Sequence, residues 1–500
     1  MKTLTTHTLG FTKNNSRLWI HNRLIEGAGL TGGQPISIEY GEGFAIIKGV
    51  SEGKSRNHVA DTAKGLVIDL NNRDLTKAFE DYQQVQVTYE DGQLVVKGHQ
   101  HESRVIERET ELKRRVRTGQ HLRKGGLFAG LGLLCRSIHR GLRSSGINVK
   151  QRYANEISQL PAEVNIQGNE IWDDCTDDAL FDQQDIFTLD LSTIPKLDLL
   201  VMGSPCTPFS KLNTQKRKTG QVDILHEEAG TVFQPMLAFI SASNPAIVCL
   251  ENSEFFSGSI VDRVVNDVML RMGYLKSDVV VSGVAHGGFE PRKRLCRVYY
   301  SRGLEAVDMT LLVGNTVNPR CVDDVLEPMA DDDSRWARRK YLEDKDAEAH
   351  NGHSMHICKG SDRKLPTFSA NYHKTQPSSA LAPHPDFSNN MKCRIFTPSE
   401  HCNVRRIEGR FKDQVVAVAE GAHTAQQRSS SNVSAAHKML GNSCSPEPFE
   451  AAGAFIGDWI KRLAGLKVPA LAQQPPQPAP VPAPQPAANQ DNMTGQLAFF

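Results

Sequence analysis

Apolar and polar positions divide the chain into four regimes. From residue 1 to about 100, short β-type runs are separated by turn residues. Residues 104–124 (RVIERETELKRRVRTGQHLRK) are charged and helix-prone, the pattern of a connector. From 125 to 465, apolar strand-like runs alternate with helical stretches, which predicts an α/β domain. From Val468 onward the chain is rich in Pro, Ala and Gln.

The first regime contains a repeat. Residues 18–49 can be laid on residues 66–98, with Ile36-Ser37-Ile38 matching Val85-Gln86-Val87 and Ile46–Gly49 matching Val95–Gly98. The offset is 49 at both places (Ile36 to Val85, Ile46 to Val95). Each copy reads as strand, short helical turn, strand, Gly turn, strand. Gly41-Glu42-Gly43 and Asp91-Gly92 suit tight hairpins. Two copies complete a small barrel that neither closes alone. The pattern, most closely in its first copy, resembles the swapped-hairpin fold of small bacterial DNA-binding regulators and antitoxins. That predicts a duplicated β domain over 1–103, and the resemblance implies contact with DNA.

At the other end, Pro469 to Pro486 places eight prolines in 18 positions. Such a segment builds no core and is expected to be a disordered, extended linker over 466–494. Apolar side chains return in GQLAFF, residues 495–500. Gln496-Leu497-Ala498-Phe499-Phe500 resembles the short peptide with which many bacterial proteins bind the replication sliding clamp, so the clamp is an expected partner.

Composition narrows the class. Lys+Arg 58 against Asp+Glu 57 gives a net charge of +1, which excludes a polycation. No run approaches the roughly 18 apolar residues of a transmembrane helix, and MKTLTTHTLGFTKNNS lacks a secretory apolar core. The ten cysteines are scattered and no two form a CxxC, which argues against a zinc ribbon or a disulfide scaffold. Scattered free thiols fit a reducing cytoplasm.

One cysteine stands where chemistry is expected. Leu197–Met202 is an apolar strand ending in Gly203-Ser204-Pro205-Cys206-Thr207-Pro208. Ligands of open α/β sheets sit beyond the carboxyl ends of strands, so Cys206 faces a cleft. Ile247–Leu250 is a second strand and runs into Glu251-Asn252-Ser253. A carboxyl buried at that edge has a raised pKa and donates a proton. Phe289-Glu290-Pro291-Arg292-Lys293-Arg294 leads into a third strand, whose alternation puts Arg292 and Arg294 on one face. Upstream, Phe128-Ala129-Gly130-Leu131-Gly132 reads as a strand–Gly turn–helix opening. Glu156 follows 24 residues past Gly132, the spacing at which a second strand offers a carboxylate to a ribose.

These segments and their order over about 125–460 resemble the DNA cytosine-5 methyltransferase family. LFAGLG is similar to its cofactor-binding Phe-x-Gly-x-Gly, GSPCTPFS to its Pro-Cys loop, and LENS to its Glu-Asn-Val. Glu290-x-Arg292-x-Arg294 is similar to its Gln-x-Arg-x-Arg, Phe396–Glu400 to its Leu-Thr-Pro-x-Glu, and Leu440–Cys444 to its closing Gly-Asn-Ala/Ser-Val. The chain departs from the pattern at Gly126 (usually an acid), Leu133 (usually Gly), Ser253 (usually Val) and Glu290 (usually Gln).

The resemblance implies a Rossmann-like class I methyltransferase sheet over 125–302 and 393–465, with a target-recognition region inserted at 303–392. It implies S-adenosyl-L-methionine as cofactor, held by Phe128, Gly130, Gly132, Glu156, Asp174, Asn442 and Ser443. For the acid that meets the adenine, Asp173 and Asp177 fit nearly as well as Asp174. It implies double-stranded DNA as partner and catalysis by Cys206, Glu251, Arg292 and Arg294. Cys206 adds to carbon 6 of a flipped cytosine, and Glu251 holds or protonates ring nitrogen 3. The cationic loop Lys211, Lys216, Arg217, Lys218 closes over the DNA backbone. Trp336–Lys340 and the His-rich stretch His350 to His356 suggest base or phosphate contacts. His353, His356 and Cys358 lack a fourth ligand, so no metal is expected. Two other readings remain open at this point, an RNA cytosine-5 methyltransferase and an inactive methylase-like DNA-binding regulator.

Overall fold

A computed structural model describes residues 2–12, 14–51, 55–205, 230–347, 355–423 and 432–468. Its centre is a seven-stranded sheet. In sheet order the strands are Cys175–Asp182, Val149–Asn155, Leu122–Leu127, Leu199–Gly203, Ile247–Asn252, Lys293–Ser301 and Tyr274–Ser282. The first five are parallel, and Lys293–Ser301 runs antiparallel to both its neighbours. Leu199–Met202 and Ile247–Leu250 are buried throughout, because helices cover both faces.

One face packs on Leu133–Ser144 and Pro446–Leu463 around Ile138, Leu142, Phe449, Ile456 and Trp459. These helices meet at Gly141 and Gly453. A Cβ on Gly141 would stand 2.1 Å from the Glu450 carbonyl, so glycine is required for that approach. The other face packs on Phe233–Ser243 and Ile260–Arg271 through Met236, Phe239, Ile240, Val261 and Val265. Strand order reverses direction between Leu122–Leu127 and Leu199–Gly203. That switch point opens a crevice at the carboxyl edge of the sheet. The expected α/β class is therefore the observed one, with the first strand starting at Leu122 rather than inside a domain opening at 125.

Residues 2–98 form two sheets around one apolar core. Each half runs strand, helix, strand, strand: Asn15–His21, Leu24–Gly27, Pro35–Gly41, Phe44–Gly49, and then Gly65–Asn71, Arg73–Ala78, Gln84–Glu90, Gln93–Gly98. Phe44–Gly49 pairs antiparallel with Gln93–Gly98, and Ile46 lies opposite Val95. Those two residues are equivalents at the 49-residue offset, so the pairing is centred on a pseudo-two-fold axis. The first strands also pair with each other. Buried Leu18 and Ile20 correspond there to buried Ile68 and Leu70. That sets an offset of 50, where laying Leu18 on Leu66 gives 48.

The charged connector is helical over Gln100–Arg117. It is bolted to both neighbours. Glu102 accepts the backbone N–H groups of Gln83 and Gln84 at 2.9 and 3.0 Å. Buried Arg108 donates to Ser301 Oγ and to the Met272 and Gly273 carbonyls, and its guanidinium lies 3.8 Å from the Tyr274 ring centroid. Its partners Asn244 and Gly273 precede sheet strands. The connector thus runs along the edge opposite the crevice.

The segment after 302 carries a four-stranded sheet in the order Ala337–Arg338, Lys392–Ile395, Ala380–Pro383, His356–Ile357. One of its strands crosses the 392/393 boundary expected from sequence. Trp336 and Arg338, read as base or phosphate contacts, are engaged internally. Trp336 is buried, packs edge-on to His384, donates to the Ala330 carbonyl and lies under the Arg394 guanidinium. Arg338 is paired with Glu343 at 2.8 Å. Among the described residues no helix is long and apolar enough to cross a membrane. The Pro-rich segment from 469 and the terminal peptide 495–500 lie outside the described residues.

Candidate active site

At the carboxyl edge lies a cleft of about 700 Å³. Its floor is built at the switch point. Strand Leu122–Leu127 ends in a turn with positive φ at Phe128 (55°), Gly130 (52°) and Gly132 (78°), after which helix Leu133–Ser144 begins. Phe128 bears a left-handed backbone without being glycine, a strain that persists only where surrounding structure imposes it. Glu156, just past the neighbouring strand, accepts the Gly130 N–H at 2.7 Å and the Ser158 N–H at 2.9 Å. Phe128, Gly130 and Glu156 all line the cleft.

Gly132 does not line it. A Cβ there would stand 2.5 Å from Asn165 Oδ1, so this glycine packs the turn onto Asn165 and Asn169. Leu133, where the resemblance expects a second glycine, fills an apolar cluster with Val164, Phe411 and Leu440. Gly126, where an acid is expected, has Cys135 Sγ 2.7 Å from the place of a Cβ, so a side chain there would force buried Cys135 to shift.

Asp174 lies at the edge of the sheet away from the cleft. It precedes strand Cys175–Asp182 and faces Arg143 and Lys150, at 3.4 and 3.6 Å. Asp173 pairs with Arg410, and Asp177 lies inside the strand. The acid at the carboxyl end is Asp185, which lines the cleft with Ile186 and Phe187. The strand runs to Asp182, so the acids near 174 stand at its start and Asp185 follows its end. The signal was Asp-Ile-Phe after a run ending in Gln-Gln.

The acid–arginine group assembles on the other side of the switch point. Gly203 pairs with Glu251 across adjacent parallel strands. Arg294 Nε stands 2.8 Å from Glu251 Oε1. Arg292, just before its strand, donates to the Gly441 carbonyl at 2.6 Å. Burial pushes the Glu251 carboxyl above its usual range, against the opposing pull of Arg294 and Arg292. Burial and the neighbouring cations Arg294 and Arg405 push Arg292 down to about 10. Asn252, fully buried, donates to Ser204 Oγ at 2.7 Å and to the Ser204 carbonyl at 3.3 Å. It thereby fixes Ser204, two residues before Cys206 in the chain. Ser204 and Pro205 line the cleft with Glu251, Arg292 and Arg294. Cys206 itself and the cations Lys211, Lys216, Arg217 and Lys218 lie outside the described residues.

Asn442 and Ser443 close the cleft from the end of helix Asn432–Asn442. The cleft therefore gathers Phe128, Gly130, Glu156, Glu251, Arg292, Arg294, Asn442 and Ser443, and leaves out Gly132 and Asp174. Of the three metal candidates, His353 lies outside the described residues, His356 opens the short strand His356–Ile357, and Cys358 is buried in an apolar cluster. Among the described residues no group of three or more His, Cys, Asp or Glu side chains is placed to hold a metal.

Comparison with known proteins locates the likeness in the same segment. Residues 122–451 match the family described as C-5 cytosine-specific DNA methylase. Type II methyltransferase M.BsuFI of Bacillus subtilis is 27% identical over 197 residues, 38% of this chain. The match spans 46%, about half, of that relative's length. The crystal structure of S. pombe Dnmt2 methyltransferase superposes with a TM-score of 0.50 at 17% identity, over 69% of this chain and 99% of that one. The Entamoeba histolytica methyltransferase EhMeth covers 69% of this chain and 98% of its own, with a TM-score of 0.48 at 14% identity. At 17% identity the likeness to the S. pombe structure speaks for the fold alone.

Proposed function

The chain belongs to the C-5 cytosine-specific DNA methylase family, and on that premise we propose that it methylates carbon 5 of a cytosine flipped out of double-stranded DNA, with S-adenosyl-L-methionine as donor. The observation that carries this reading is one cleft at the switch point shared by two groups. A glycine turn with its acid (Phe128, Gly130, Glu156) faces the acid–arginine group (Glu251, Arg292, Arg294), beside the segment that leads into Cys206.

The cleft's volume is within the usual range for a cofactor site, about 300–1,000 Å³. The Gly130 position opens onto free space, so the backbone can approach a ligand closely. Phe128, Gly130, Glu156, Asp185, Asn442 and Ser443 would hold S-adenosyl-L-methionine, which when bound supplies an electrophilic methyl group. The protein's part is to make carbon 5 nucleophilic. Cys206, as thiolate, adds to carbon 6. Glu251, whose pKa burial raises, donates a proton to ring nitrogen 3, so negative charge does not build on the ring. Arg294 holds that carboxyl, and Arg292 braces the far wall. After methylation the carbon 5 proton is lost to base, the carbon 6–sulfur bond breaks, and Cys206 leaves as thiolate. A base inside a stacked duplex is out of reach, hence the flipping.

An oligonucleotide carrying 5-fluorocytosine blocks loss of the carbon 5 substituent. Incubated with cofactor, it is expected to trap a covalent adduct on Cys206 that Cys206→Ser does not form. No adduct, or an adduct with transfer RNA and none with duplex DNA, overturns the reading in favour of an inactive regulator or an RNA enzyme. We also assign Gln496–Phe500 as a peptide for the replication sliding clamp. Deleting 495–500 is expected to abolish clamp co-purification and leave methylation intact.

A further inference from the structure

Two guanidiniums grip the turn that closes the cleft. Arg292 donates to the Gly441 carbonyl, and Arg405 donates through Nη1 to the Ser443 carbonyl at 3.3 Å. Both carbonyls lie at the end of helix Asn432–Asn442, where the backbone dipole favours a cation. Arg405 comes from elsewhere, the end of helix Pro398–Val404. It is fully buried, and its counter-charge is Glu290, 2% exposed, whose Oε1 stands 3.1 Å from Arg405 Nη2. The same Oε1 accepts the backbone N–H of Phe368 at 2.9 Å. Phe368 packs with Tyr372 and Val322 of the inserted region and with Phe396 just beyond it. Glu290 is also where the chain carries an acid in place of the family's glutamine. With glutamine, Arg405 would be a buried cation lacking that counter-ion. The acid and the arginine answer each other.

We propose that the Glu290–Arg405 pair is a positioning device that sets the Asn442–Ser443 turn for the cofactor and ties it to the inserted region at Phe368. The inference rests on the cofactor reading above and adds to it a residue, Arg405, that touches no reacting atom. Breaking a buried ion pair from one side leaves an uncompensated charge, and displacements of about 1 Å in a site are costly. Replacing both partners by neutral amides restores a matched pair.

The test compares E290Q, R405Q, R405K and the double variant E290Q/R405Q in the full-length protein. Titration calorimetry with S-adenosyl-L-methionine measures cofactor binding, initial rates give KM and kcat, and amide exchange is followed at Phe368 without cofactor. Each Gln variant alone is expected to raise the cofactor Kd and KM about tenfold, with kcat at saturation within about threefold of wild type. R405K, which keeps the charge but not the two-pronged geometry, is expected to fall between. The double variant is expected to recover to within about threefold of wild type. Exchange at Phe368 is expected to rise in R405Q, although Arg405 does not touch that amide, and to fall back in the double variant.

Unchanged cofactor affinity in the single variants, with only a lower melting temperature, would reduce the pair to plain structural support. A double variant no better than the worse single would show that the two residues do not act as a pair. If a single variant fails to fold, R405K and the double variant still decide. If the wild-type protein binds no S-adenosyl-L-methionine, the proposed function falls, and the exchange pattern at Phe368 still tests the pair.

Discussion

Lys124 offers a quantitative test of the packing beneath the cleft. It lies in the first strand of the central sheet and is fully buried. Its Nζ donates to the Cys135 carbonyl at 2.8 Å, and it makes no salt bridge among the described residues. Burial pushes its pKa from 10.5 down to about 8, with only the Cys135 and Cys249 thiols opposing. A drop of that size corresponds to about 3 kcal/mol against the charged form. The folded state therefore binds fewer protons than the unfolded chain between pH 8 and 10.5. Stability from this group rises with pH across that window, and below pH 8 the whole penalty is present. Lys124→Met has a similar length and no charge. It loses one hydrogen bond, worth about 1 kcal/mol, and gains apolar contact of similar size. The variant is expected to be about 3 kcal/mol more stable at pH 7, with the gap closing toward pH 10.5. Urea unfolding of both proteins at a series of pH values, followed by tryptophan fluorescence, measures this. A gap that is constant with pH, or a variant less stable at pH 7, would refute the reasoning. It would mean that the ammonium group is compensated by something other than the Cys135 carbonyl.

Other expectations follow from the site. Asp185→Ala should raise the cofactor KM about tenfold, the loss of one good hydrogen bond to a charged group, while Asp174→Ala leaves it unchanged. Steady-state kinetics separates the two assignments. Asn252→Ala frees Ser204 and should lower kcat by roughly tenfold to a hundredfold with little change in cofactor KM, which single-turnover assays would show. Because burial raises the Glu251 pKa, the protonated form persists to higher pH, and adduct formation should decline as pH rises through that value. Arg294 opposes the rise, so Arg294→Met should move the decline to higher pH, and an unmoved pH profile would contradict the pairing. Trp336→Ala removes a buried side chain and should cost about 3–5 kcal/mol of stability. Nucleic-acid affinity measured on the folded protein should be unaffected.

How far the sequence carries depends on the range of the interaction. Apolar runs ending in Gly-Ser-Pro, in Glu-Asn and in Phe-x-Gly-x-Gly are local records of strand and turn. They sufficed to mark Phe128, Gly130, Glu156, Glu251, Arg292 and Arg294, which one cleft then gathers. The 49-residue repeat was legible because equivalent side chains face one core, and Ile46 opposite Val95 shows the axis directly. Asp174 went astray because strand length is set by pairing with Val149–Asn155, and that pairing carries the strand to Asp182. Trp336 looked like a contact residue because an aromatic amid cations reads the same whether it faces solvent or Arg394.

By itself, then, the sequence determined the alternation of elements, the chemistry at each strand end, and the duplication, since all three are written in neighbouring residues. Only the tertiary structure decided which acid reaches the cleft and why Gly126 and Leu133 depart from the pattern. It also decided that Glu290 answers Arg405 across 115 residues of chain. Those choices depend on what fills the space and balances the charge around each group once water has been excluded, and the partners come from distant parts of the chain.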